Sequence, residues 1–175
     1  TAAEIAHQIK ADELGTTLLL EALAVLGYVK KKDQRYGNTP MTMKWLLRDS
    51  PASLAGGMPF FESMVFERWG HLDESIRRGS PAIYGYEWLD QEPGRWRVYQ
   101  EGMIAAARMA ADEVVAKVKL PSTARSLLDV GGGHGLYSIK FCRQHPDLSA
   151  TVFDLPQALE VARETIAIET MGDRV

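Results

Sequence analysis

Leu127-Leu128-Asp129-Val130-Gly131-Gly132-Gly133-His134-Gly135 is an apolar run that ends in a glycine-rich turn, and a helical pattern follows it at once. Beyond it a second apolar run, Ala150-Thr151-Val152-Phe153, ends in Asp154. Glycines carry no Cβ, so a ligand can come close to the tip of the first strand. An acidic residue at the tip of the second strand can accept hydrogen bonds from a ribose diol. The pairing reads as a nucleoside-cofactor site. Strand 126–130, helix 136–144, strand 149–153 and helix 156–169 alternate as in a parallel α/β sheet.

The glycine spacing discriminates between cofactors. A dinucleotide fingerprint needs G-x-G-x-x-G, whose third glycine allows close packing of helix on strand. Counting from Gly131 puts Leu136 at that position, and counting from Gly133 puts Ser138 there. A phosphate-binding P-loop is excluded, because no Gly-Lys-Ser/Thr follows the glycines. What remains, Asp129-x-Gly131-x-Gly133-x-Gly135, resembles motif I of the class I S-adenosylmethionine-dependent methyltransferases. A nicotinamide-dependent oxidoreductase and a purely structural glycine turn stay open as alternatives.

The 175 residues suffice for one ordinary domain or two small ones, and 46% hydrophobic with 25% charged residues is a globular balance. No apolar stretch reaches the ~18–20 residues that span a bilayer and no signal-peptide pattern opens the chain, so no membrane partner is expected. Cys142 is the only cysteine, which excludes an intrachain disulfide and suits a cytoplasmic setting. A net charge of −3 gives no reason to expect nucleic acid. His7 and His71 have no companions that suggest a metal, and none is expected. His145 precedes Pro146 as a helix-end residue, and His134, inside the glycine turn, is not taken as a base.

Upstream, Thr1 and Glu4 have capping-box spacing for a helix over residues 1–10, with Ile5 and Ile9 on one face. Asp12 or Thr16 can cap a second helix carrying Leu19, Leu20, Leu23 and Leu26, stopped by Gly27. Residues 28–32 and 35–37 read as two strands around a turn at Asp33-Gln34. Helix, helix, hairpin is a winged-helix pattern. Its second helix carries Glu13 and Glu21, and no Lys or Arg stands between residues 11 and 29. DNA affinity comes largely from cations that neutralise phosphates. A dimerisation module therefore fits better than a winged-helix transcriptional regulator, which is kept as an alternative, and the Lys30–Lys32 run reads as a solvated hairpin face. From Pro51 to Arg78 come apolar helical segments broken at Gly56-Gly57, expected as core or subunit interface. Pro81 and Tyr84-Gly85-Tyr86 suggest a loop. Residues 95–118 read as a long helix with Val98, Met103, Ala106, Met109, Ala110 and Val114 buried. Pro121-Ser122-Thr123 is a linker.

Taken together, these elements resemble the small-molecule O-methyltransferases of the caffeic acid, hydroxyindole and bacterial polyketide-tailoring type. The features that carry the resemblance are the winged-helix region, the helical connector, Asp129-Val130-Gly131-Gly132-Gly133-x-Gly135 and Phe153-Asp154-Leu155-Pro156. The resemblance implies a mostly α winged-helix dimerisation domain over 1–93, a connector helix over 94–120, and over 121–175 the first part of a Rossmann-like methyltransferase domain with a truncated parallel sheet. It implies S-adenosylmethionine as cofactor, a phenol or polyketide-like acceptor methylated at a hydroxyl, and a homodimer formed through the N-terminal helical domain. Asp129, Gly131, Gly133 and Gly135 would form the cofactor loop, with Gly131 against the methionine part. Asp154 would take the ribose hydroxyls and Leu155 would pack on adenine. Tyr99 and, four residues on, Met103 match the spacing of residues that contact acceptor and cofactor. A serine that often follows at the cofactor carboxylate is replaced by Ala107.

A phenol with pKa near 10 is mostly protonated at pH 7, so a general base assists its attack. In plant members of the family that base is a histidine well beyond the Asp-Leu-Pro motif. No catalytic residue is therefore expected within residues 1–175. Both ends of the chain look cut, with Gly172-Asp173-Arg174-Val175 as the expected start of a third strand, and the 175-residue chain is expected to be inactive alone.

Overall fold

The computed structural model describes residues 1–50 and 52–175; the Pro51 end of the predicted apolar helical stretch lies outside them. The chain divides into two compact units, Thr1–Ala55 and Gly56–Val175. Residues 56–93, grouped with the N-terminal helices in the sequence reading, thus fall in the unit of the long helix and the parallel strands.

In the first unit, α1 (Ala2–Ile9) opens with a capping box in which the Thr1 side chain accepts from the Glu4 N–H and the Glu4 side chain reaches back to residue 1. For α2 (Glu13–Val25) the cap is Asp12, whose carboxylate accepts from the Gly15 N–H at 2.7 Å. Thr16, the other candidate, is instead buried one turn into the helix. Gly27 follows the end of α2. β1 (Val29–Lys32) and β2 (Arg35–Asn38) pair antiparallel. Asp33 and Gln34 between them both have positive φ, at 49° and 61°, as a two-residue hairpin turn of matching twist requires. Helix α3 (Pro40–Trp45) completes the unit. The Lys30–Lys32 run is not wholly free, because Lys31 Nζ meets Glu21 Oε1 at 2.5 Å and the Tyr36 hydroxyl donates to the same oxygen.

The second unit begins with a short helical stretch. α4 (Met58–Phe60) passes through a π-helical turn (Phe61–Phe66) into α5 (Glu67–Gly70), followed by α6 (Leu72–Arg78) and α7 (Gly85–Asp90). The expected loop at Tyr84-Gly85-Tyr86 is therefore corrected: it is the start of α7. Burial of Trp88 and Leu89 against Met64, with Phe60, Ile83, Trp96 and Tyr99 around them, outweighs the loop propensity of the glycine. The Trp88 indole N–H donates to Glu67 at 3.1 Å and the Arg95 guanidinium lies over its ring at 4.0 Å.

Helix α8 (Arg95–Lys117) spans the predicted range, yet the buried face differs from the expected one. Gln100, Gly102, Ala105, Ala107, Ala111 and Val115 are buried, whereas Ala106 and Met109 are exposed and Val98 and Met103 are half-buried. The physical reason is close approach. The Phe60 ring lies over Gly102, where a Cβ would meet its Cγ at 2.5 Å, and a Cβ on Gly57 would meet that of Ala105 at 2.9 Å. In a helix this rich in alanine, small residues mark the contact face better than large ones do.

β3 (Ser126–Val130) and β4 (Ser149–Phe153) pair in parallel, Asp129 opposite Val152. Between them runs α9 (Leu136–Gln144), and α10 (Pro156–Ile168) follows β4. Ile139, Phe141, Cys142, Leu148 and Met171 pack with Val115 of α8 over one sheet face. On the other face Leu128, Val130 and Phe153 are exposed. The third strand expected at 172–175 is not formed. These residues turn, although the Arg174 carbonyl accepts from the Ala150 N–H of β4 at 2.7 Å.

Candidate functional site

The turn after β3 has three glycines of positive φ: Gly131 at 73°, Gly133 at 52° and Gly135 at 74°. Left-handed backbone at alternate positions costs a side-chain-bearing residue about 1–2 kcal/mol each, which accounts for the spacing. At Gly131 nothing lies within 4 Å of the place a Cβ would occupy, so the loop presents bare backbone to open space. Gly132, an unassigned position in the motif, is crowded by Asp129 and by the neighbouring strand. Its Cβ would sit 2.7 Å from the Asp129 carboxyl carbon and 2.9 Å from Val152 Cγ1.

Two carboxylates hold this loop. Asp154 Oδ2 accepts from the Gly133 N–H at 2.7 Å while Oδ1 accepts from the Leu155 N–H at 2.7 Å, so the tips of β3 and β4 are tied together. Asp129 Oδ2 accepts from the Ser138 hydroxyl of α9 at 2.8 Å, and Ser138 is fully buried. His134 is buried inside the turn, its Nδ1 accepting from the Leu136 N–H at 3.1 Å. Burial lowers its pKa below the ordinary histidine value, against the opposing charge of Asp129 and a hydrogen bond to the Met103 backbone. The imidazole is thereby held neutral, with Nδ1 seated on the Leu136 N–H inside the loop.

Loop and helix enclose a cavity of about 510 Å³, within the size range of small-molecule sites. Its floor is Asp129, Gly131–His134, Tyr137 and Asp154, and its wall is the Tyr86, Trp96, Tyr99, Gln100 and Met103 side of α7 and α8. The Trp96 and Tyr99 rings meet edge to face at 6.3 Å, and Phe60 closes behind Tyr99 at 6.0 Å. Burial, with the nearby Tyr86 and Asp154, pushes the Tyr99 phenol up, so it is a neutral hydroxyl at pH 7. No Lys or Arg lines this cavity among the described residues. A second hollow of about 360 Å³, bounded mainly by Met64, Trp69, Leu72, Pro81 and Ile83 with Arg68 and Ser75 beside them, has no part of the glycine loop.

Of the residues singled out in the sequence, Asp129, Gly131, Gly133, Asp154, Tyr99 and Met103 converge on one cavity. Gly135 and Leu155 are not in its lining. Gly135 lies buried under the turn with its N–H on the Gly132 carbonyl, and Leu155 stands half-exposed where α10 begins. Sequence reasoning did not single out Gln100, Trp96, Tyr86, Tyr137, Gly132 or Ser138. An aromatic pair three apart, Trp96 and Tyr99, was a legible signal for the wall. Nothing local distinguished Gln100 from a solvated helix residue.

The O-methyltransferase domain family matches residues 69–174. The chain is 31% identical over 177 residues to 3-hydroxy-5-methyl-1-naphthoate 3-O-methyltransferase of Streptomyces sahachiroi, covering 99% of this chain and 51% of that protein. The structure superposes on an O-methyltransferase family protein from Burkholderia thailandensis with a TM-score of 0.82 at 28% identity, covering 100% of this chain and 52% of that one. The human N-acetylserotonin methyltransferase in complex with SAM shares the fold, with a TM-score of 0.79 at 23% identity over 93% of this chain and 51% of that one. The chain thus spans about half the length of the relatives it matches.

Proposed function

This chain belongs to the O-methyltransferase domain family, and from that premise we propose that its cavity serves S-adenosylmethionine-dependent methyl transfer to a hydroxyl of an aromatic or polyketide-like small molecule. The observation that carries the reading is the convergence of bare glycine backbone, two carboxylates and an aromatic wall on one cavity of about 510 Å³. The residues present fit this cofactor on two structural counts. The space at Gly131 is one that a Cβ would fill, and the Gln100 side-chain oxygen is buried without a partner. A dinucleotide pyrophosphate would instead meet Asp129 and Asp154 with no lining cation to offset its charge.

In this reading Asp129, Gly131, Gly133 and Gly135 shape the cofactor loop, Asp154 accepts from the ribose hydroxyls and Leu155 packs on the adenine. When bound, S-adenosylmethionine supplies a methyl group on a sulfonium that an acceptor oxygen can displace in line. The chain's own contribution is placement. Tyr99 and Met103 hold the acceptor face, the Trp96–Tyr99–Phe60 rings exclude water, and fixing two reactants together removes an entropic barrier of several kcal/mol, on the order of 7–11 kcal/mol at best. Residues 1–93 serve in dimerisation, the winged-helix-like part being the compact unit of residues 1–55, with 94–120 as connector. The exposed Leu14, Leu18, Val25 and Leu26 of α2 and its end support an interface with a second copy. Calorimetry with S-adenosylhomocysteine and with NAD tests the cofactor: micromolar binding of the first alone is expected, and binding of NAD alone would overturn the reading.

A further inference from the structure

On the cavity wall, Gln100 stands apart from its neighbours. It is 3% exposed, its Oε1 has no hydrogen-bond partner, and its carboxamide lies against the loop, 2.9 Å and 3.4 Å from a Cβ placed on Gly133. The α8 residues that follow it along the cavity, Met103, Ala106, Ala107 and Ala110, carry no side-chain donor or strong acceptor. Trp96 already donates its indole N–H to Asp90 at 2.8 Å. Asp154 is assigned to the ribose above, and His134 Nδ1 is taken by the Leu136 N–H. A buried carboxamide oxygen without a partner is disfavoured unless something completes it.

We propose that the Gln100 carboxamide holds the amino-acid end of the cofactor, its oxygen accepting from the α-ammonium and its N–H donating to the α-carboxylate. The assignment rests on the cofactor reading above and names the side chain that reading leaves open. The chemistry is complementary: a zwitterion offers a donor and an acceptor side by side, and a primary amide offers the converse pair. A ligand carboxylate entering here finds two aspartates and no cation in the lining, so neutral donors have to meet it. These are the hydroxyls of Tyr86, Tyr99 and Tyr137, and the Gln100 carboxamide, which alone pairs a donor with an unpartnered acceptor. Ala107, two turns beyond Gln100 on α8, is buried and has no polar atom with which to do so.

Titration calorimetry of the wild type, Gln100→Leu and the near-isosteric Gln100→Glu, each with S-adenosylhomocysteine and with 5′-methylthioadenosine, tests this. The second ligand keeps the nucleoside and thioether but has no amino-acid group. Both variants are expected to bind S-adenosylhomocysteine about tenfold more weakly, the size of a lost charge-assisted hydrogen bond. Their affinity for 5′-methylthioadenosine stays within about twofold of wild type, which also shows that the pocket is folded. Equal losses for both ligands, or no loss for either, would overturn the role of Gln100 alone. A wild type that binds neither ligand would overturn the cofactor reading and this assignment together.

Discussion

Replacing Gly132 by alanine is the most discriminating perturbation of the glycine loop, because this glycine has no left-handed φ to explain it. The added Cβ would lie 2.7 Å from Asp129 Cγ, 2.8 Å from Asp129 Oδ2 and 2.9 Å from Val152 Cγ1. Ordinary contacts begin near 3.4 Å, so two neighbours must retreat by more than about half an ångström at once, and overpacking of this kind costs about 1–3 kcal/mol. Neither neighbour is free to move. Asp129 is bonded to the fully buried Ser138 and Val152 sits in β4 opposite it. Disturbing that charge-assisted hydrogen bond adds about 1 kcal/mol or more. Urea unfolding followed by tryptophan fluorescence and circular dichroism is expected to show Gly132→Ala destabilised by about 2–4 kcal/mol. Gly131→Ala, with open space but a φ of 73°, should lose only the strain of about 1–2 kcal/mol. Adding Val152→Ala to Gly132→Ala should recover part of the loss despite its own cavity. A Gly132→Ala protein as stable as wild type, or one less perturbed than Gly131→Ala, would refute the steric argument.

Asp154→Ala removes the acceptor for the Gly133 N–H, and S-adenosylhomocysteine affinity measured by calorimetry is expected to fall at least about tenfold. Gly102→Ala gains helix propensity, about 1 kcal/mol, but meets Phe60 at 2.5 Å; a lowered urea midpoint is expected, with relief when Phe60→Leu is added. The folded His134 pKa lies below its unfolded value of 6.5, so its contribution to stability is present above pH 6.5 and is lost as pH falls through the folded pKa. The urea midpoint should drop from pH 7.5 to pH 5.5, and His134→Gln should flatten that slope. The proposed dimer through exposed α2 predicts that Leu18→Glu gives a smaller mass than wild type in light scattering while leaving S-adenosylhomocysteine affinity unchanged.

The second unit's parallel strands were legible because three signals coincided there: short apolar runs, glycines at alternate positions and Pro156 opening a helix. The strand bounds 126–130 and 149–153 agree with the structure. The burial of α8 was not legible, since its contact face is made of Gly102, Ala105 and Ala107, residues that carry little apolar weight. α7 was hidden for a related reason: its helix is stabilised by what Trp88 and Leu89 pack against, and that lies elsewhere in the chain. In the site, glycine spacing pointed to the residues with unusual backbone. Gly132 and Gln100 were invisible, because what sets them apart is the distance to a neighbour that only folding brings near.

The clasp between Asp154 and the Gly133 N–H also bears on the entropy of recognition. A carboxylate on a free loop must surrender its torsions when a diol arrives, and each immobilised side chain subtracts about 0.5–1.5 kcal/mol from affinity. Here both oxygens are already seated on peptide N–H groups, and their spare lone pairs stay available. That surrender is made once, during folding, and in the proposed role a sugar would meet an acceptor already standing still.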